Sequence, residues 1–182
     1  LIRGGVGGAK TGTGLLFEGR CDFITLLEAV PGYTIIERLD AGCDVEYNGQ
    51  VVAHTFKKHA FYRYLTTHGV DWREKLSAIL LPDDAIIVIA RKTLHIVEVK
   101  FQTVAGSVDE KLQTCDFKRK QYQKLVGDLG LAVAYIYVLN SEWFDVPKYK
   151  DVLDYIQSVN CNYCFDRLPL EWLGLPTEAS YD

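Results

Sequence analysis

Two apolar stretches, 85–90 and 94–102, stand back to back around Arg91-Lys92-Thr93, and they constrain the fold more than any other part of the chain. Short runs rich in Ile and Val, split by a polar turn, read as a β-hairpin. Side chains alternate along a strand, so Val97, Val99 and Phe101 share one face while Ile96, Glu98 and Lys100 share the other. An apolar strand gains nothing in packing from an acid and a lysine two residues apart on one face. That pairing belongs where a cation and a water molecule are held side by side. Pro82-Asp83-Asp84 leads into the first strand, which brings a further acid to its start.

The rest of the pattern builds layers around this hairpin. A glycine-rich opening leads into a helix expected over 14–29 and ended by Pro31-Gly32. Strands are expected at 33–37, 44–48 and 51–56, the last two joined by Asn48-Gly49, a strong hairpin signal. A helix over 58–68 places Phe61, Tyr64 and Leu65 at core spacing, and Asp71 opens a short helix to about residue 79. Ser107-Val-Asp-Glu110 has capping-box spacing for a helix running to Leu125. Its Leu112, Cys115, Tyr122 and Leu125 form an apolar stripe, with Lys111 and Lys118 seven apart on a neighbouring face. The continuous apolar run 131–139 suits a buried central strand; a helix over 148–158 and two short strands complete the chain. The expectation is one α/β domain over 1–182 with a mixed central β-sheet flanked by helices.

Composition excludes several classes. No apolar run approaches the roughly 20 residues of a membrane-spanning helix, so no membrane partner is expected. The five cysteines are odd in number and scattered, as reduced thiols of a cytoplasmic protein would be; only Cys161-Asn-Tyr-Cys164 has metal or redox spacing, and it lacks a second pair. The chain begins with Leu and contains no Met, which reads as a processed or excised form. A net charge of −4 argues mildly against a nucleic-acid binder, but eight acids against three bases after residue 141 leave the rest at +1. Local surfaces, not the total, govern contact with phosphate.

Hydrolysis of a phosphodiester needs an in-line oxygen nucleophile and neutralised charge, which hard cations held by one or two carboxylates supply. Acids on adjacent strands can converge on one such ion, with a lysine beside it to orient water and oppose developing negative charge. Pro82-Asp83 followed by Glu98-Val99-Lys100 resembles the signature of the PD-(D/E)xK nuclease superfamily, over about residues 14–140. The resemblance implies a restriction endonuclease-like α/β sandwich that uses Mg²⁺, with Mn²⁺ able to substitute. It implies catalytic roles for Asp83, Glu98 and Lys100, and metal ligation by Glu98 with Asp83 or Asp84. Those two neighbours face opposite ways on an extended chain, and Asp83 is taken first because it directly follows the proline. An extended Glu-x-Lys-x-Gln pattern adds Gln102, and Glu18 is the candidate for the acid that some relatives place on an N-terminal helix.

The activity implied is that of a type II restriction-like endodeoxyribonuclease. Such an enzyme cuts double-stranded DNA to 5′-phosphate and 3′-hydroxyl ends, commonly as a homodimer on a palindromic site. Lys10, Lys57, Lys58, Lys111, Lys118 and Arg119 are the candidate phosphate contacts. Three rivals stay open. A structure-specific nuclease of junction or repair type would share the catalytic strands. An inactive DNA-binding domain would keep the fold without cleavage. A P-loop would use Gly4 to Thr11, which fits its pattern except that Ala9 stands where a glycine is needed.

Overall fold

Tight turns set the register of the sheet. Asn48 and Gly49 both adopt left-handed backbone, φ 49° and 79°, as a two-residue type I′ hairpin requires. Arg91 and Lys92 do the same at 48° and 58°, although neither is glycine or asparagine. The computed structural model describes residues 14–16, 22–39, 42–56, 58–81, 85–103 and 108–177.

In chain order the described elements begin with β1 (Gly14–Leu16) and α1 (Phe23–Glu28), then β2 (Tyr33–Arg38), β3 (Gly42–Tyr47) and β4 (Gln50–Phe56). Helices α2 (Lys58–Thr67) and α3 (Trp72–Lys75) precede the hairpin of β5 (Ala85–Ala90) and β6 (Thr93–Lys100). Next come α4 (Val108–Leu112), α5 (Cys115–Val126), β7 (Ala132–Leu139), α6 (Ser141–Phe144), α7 (Lys150–Ser158), β8 (Asn162–Phe165) and β9 (Arg167–Pro169).

Strands β2 to β8 form one seven-stranded sheet in sequence order. Pairing is antiparallel from β2 to β6 and parallel from β6 through β8. Parallel neighbours need crossovers, which α5 and α7 supply. Crossovers of one hand that step in one direction place their helices on one face. Accordingly α2, α5 and α7 bury Phe61, Leu65, Tyr122, Leu125, Leu153 and Ile156 against Ile87, Ile96 and Tyr135 of the sheet. The opposite face packs Val45, Val88, Val97 and Ile136 against α1 and the turn after β9. The expected class, a mixed α/β domain with a seven-stranded sheet between helices, is what the chain adopts.

Three expectations need correction. The first helix does not begin at 14: Gly14–Leu16 is a strand paired antiparallel with β9, and the helix covers only Phe23–Glu28, capped by Asp22. Buried Leu15 beside exposed Leu16 is the period of a strand, not a helix. The helix expected from 107 to 125 is broken between α4 and α5. Thr114 causes the break: both its amide and its hydroxyl donate to the carbonyl of Lys111, at 3.2 and 2.7 Å, and the Tyr137 hydroxyl adds a third donor. The short helix after Asp71 stops at Lys75, and α6 is an element the pattern did not suggest.

Candidate functional site

The alternation along β6 holds. Leu94 and Ile96 join the helix-covered core, Val97, Val99 and Phe101 the other, and Glu98 points the way of Ile96. Register places Glu98 between Ala85 of β5 and Tyr137 of β7, in the middle of the sheet. It is 1% exposed, so an ionised carboxylate there must be compensated.

The compensation comes from three elements. Lys118 of α5 donates to Glu98 Oε1 at 2.6 Å, and the Tyr135 hydroxyl of β7 donates to the same oxygen. Lys100 Nζ, two residues along β6, lies 3.2 Å from Oε2. Oε2 itself accepts no hydrogen bond although it is buried. Burial opposes ionisation, but the charges of Lys118 and Lys100, with the hydrogen bonds from Lys118 and Tyr135, outweigh it and hold Glu98 below the usual carboxylate range. Burial, then the adjacent Glu98 charge, pushes the Tyr135 phenol far up, so it stays a donor. Tyr122 lies in the same wall, its buried hydroxyl without a hydrogen-bond partner.

Asn140 secures the chain beyond Lys100. Its amide oxygen accepts from Gln102 N at 2.9 Å, its amide nitrogen donates to Gln102 O at 3.0 Å, and its backbone N–H donates to Lys100 O. A side chain pairing with backbone in this way continues the sheet ladder by one rung, fixing where Lys100 and Gln102 emerge.

Of the other residues singled out by sequence, Asp83, Asp84, Glu18, Lys10 and Lys57 lie outside the described residues, and Lys58 opens α2. Lys111 is exposed on α4. Lys118 and Arg119 do not face outward as open cations: Lys118 reaches Glu98, and Arg119, one-fifth exposed, pairs with Asp116 at 3.2 Å. Sequence reasoning missed Tyr135, Asn140 and the inward turn of Lys118. The Cys161 and Cys164 thiols pack into opposite cores, so their spacing does not make a chelate.

Two further buried polar groups sit in the sheet. Asp44 accepts from Arg38 Nε at 2.6 Å and lies 2.8 Å from His54 Nδ1; burial raises its pKa, but those hydrogen bonds and charges bring it below the ordinary value. His95 is 5% exposed with neither ring nitrogen hydrogen-bonded, and burial pushes its pKa down to about 4.

Among the described residues no group of three or more His, Cys, Asp or Glu side chains could hold a metal ion. Glu98 Oε2 is nevertheless what a cation ligand would look like, a buried anionic oxygen with an unfilled acceptor site. No helix among the described residues is long and apolar enough to cross a membrane. Compared with known proteins, the chain matches no family model, no curated protein and no solved structure.

Proposed function

We propose that this chain is a Mg²⁺-dependent endodeoxyribonuclease that hydrolyses double-stranded DNA in the manner of the PD-(D/E)xK superfamily. The observation that carries the reading is the Glu98–Lys100 pair: an ionised carboxylate buried at mid-sheet, its Oε2 orphaned, with an ammonium group 3.2 Å away on the same strand face. Structural packing does not call for such a pair. Ala85 is registered with Glu98, and Asp83 is two residues earlier, so covalent geometry tethers it within about 7 Å of Ala85. That tether makes Asp83, or Asp84, the natural second carboxylate.

Charge supports the same conclusion. Two lysines surround one described carboxylate, leaving the site one positive charge in excess, which calls for another acid or a phosphate. In the proposed mechanism Glu98 and Asp83 hold the ion, and Lys100 orients the attacking water and opposes charge that develops on the phosphate oxygens. A divalent cation bound there supplies charge neutralisation and makes water a better nucleophile. Gln102, positioned by Asn140, borders the substrate side. Exposed Lys111 and Lys124 offer sequence-blind phosphate contacts, and two copies acting on a palindromic site would match the two-fold symmetry of the duplex.

A DNA-binding domain without activity is favoured by one observation, that Oε1 already has two donors. Cleavage decides between them. Mixed plasmid and genomic DNA incubated in Mg²⁺ should give fragments with 5′-phosphate ends, none in EDTA, and none with Glu98→Gln. Retardation of DNA without any cleavage across such mixtures would reject the nuclease. Cutting confined to cruciform plasmid would reassign it to junctions.

A further inference from the structure

We infer that Lys118 is an internal counter-ion that keeps the divalent-cation site weak until a polyanionic substrate arrives, so that metal and DNA bind cooperatively. The inference rests on the nuclease reading and concerns how its site is regulated.

Its basis is a count of fixed charges at one buried place. Glu98, 1% exposed, contributes one negative charge. Lys118 sits 2.6 Å from Oε1 and Lys100 3.2 Å from Oε2, both ammonium groups mostly shielded, at 22% and 21% exposure. Among the described residues neither lysine has another acid partner. One further carboxylate from Pro82-Asp83-Asp84 would bring the site only to neutrality. Cations bind where the protein is negative, so a divalent ion entering a neutral or positive pocket meets repulsion that water screens poorly. A phosphodiester brings the missing negative charge with the substrate.

Lys118 is the group to which this role falls. Lys100 shares its strand with Glu98, whereas Lys118 comes from α5 and its hydrogen bond occupies the oxygen away from Lys100. Tyr135 donates to that same oxygen without carrying charge. The two donors to Oε1 therefore separate charge from hydrogen bonding. By linkage, whatever factor DNA adds to metal affinity, metal must add to DNA affinity.

The test is calorimetric titration of the whole chain with Mn²⁺, with and without a mixture of DNA duplexes, alongside circular dichroism of each variant. In the wild type DNA should tighten Mn²⁺ at least about 10-fold. Lys118→Met should bind Mn²⁺ at least about 10-fold more tightly than wild type without DNA, and should lose most of the DNA dependence. Lys118→Arg, which keeps the charge, and Tyr135→Phe, which keeps the charge count, should retain the dependence. Equal wild-type affinity with and without DNA would overturn the inference and leave the nuclease reading standing. So would Lys118→Met that is folded yet unchanged or weaker. No Mn²⁺ binding under any condition would remove both.

Discussion

Acid should destabilise this protein in a window set by His95, well before its carboxylates titrate. The ring lies in the middle of the sheet, registered with Val88 and Ala134. Thr55, in the same row across β4, donates its hydroxyl to Ile87 O and offers the imidazole no partner. Burial therefore keeps His95 neutral, with a pKa near 4 against about 6.5 in the unfolded chain. Between those values the unfolded chain binds a proton that the folded one does not, so stability falls as pH drops from about 6.5 to about 4 and this contribution then levels off. A shift of that size corresponds to about 3 kcal/mol, a large part of a small domain's stability. Urea unfolding of wild type and His95→Leu at pH 7.5, 6.5, 5.5 and 4.5 isolates it. Leucine has similar bulk and no nitrogen to leave unpaired, so the variant should equal or exceed wild type at pH 7.5. The gap should then widen by about 3 kcal/mol toward pH 4. Glu98 and Asp44, both held below the carboxylate range, affect both proteins alike at lower pH. Parallel stability curves for the two proteins would refute the argument, because they would mean that the imidazole finds a proton acceptor or water in the folded state.

Lys100→Ala should slow DNA cleavage at least about 100-fold through lost charge stabilisation while leaving DNA binding in Ca²⁺ intact; a near wild-type rate would remove Lys100 from the chemistry. Tyr135→Phe withdraws one donor from a buried carboxylate and should cost about 2 kcal/mol in urea unfolding at pH 7. A loss under about 0.5 kcal/mol would show that the phenol does not hold Glu98. Asp44→Asn should cost only about 1 kcal/mol in urea unfolding, since Arg38 and His54 are about half exposed and solvent screens them. A loss above about 3 kcal/mol would assign that acid a larger role than its partners' exposure allows.

The hairpin was legible in the sequence because everything that defines it is local. Two-residue turns and strict alternation set register and face without reference to the rest of the chain. For the same reason Glu98 and Lys100 could be put on one face. What was not legible depends on distant partners. Gly14–Leu16 becomes a strand only because β9, some 150 residues on, lies beside it. The break at Thr114 reflects a competition for one carbonyl that helix periodicity does not register. Lys118 is the instructive case, because a signal was present. Cys115, Lys118, Tyr122 and Leu125 fall at helical spacing, so the lysine occupies the gap in the apolar stripe and not the face beside it. A lysine in that position cannot reach solvent as freely as its neighbours and implies an acid on the facing strand. Tyr135 and Tyr137, at alternate positions of an otherwise aliphatic strand, imply the same from the other side, since buried phenols require partners. Taken together, one misplaced cation and two misplaced hydroxyls point to a single buried anion, and in the chain only an acid on the central hairpin can meet all three. Asn140 carries no such mark: an asparagine after a strand more often caps the helix that follows, and its use on the Gln102 backbone is visible only once β6 and β7 are side by side.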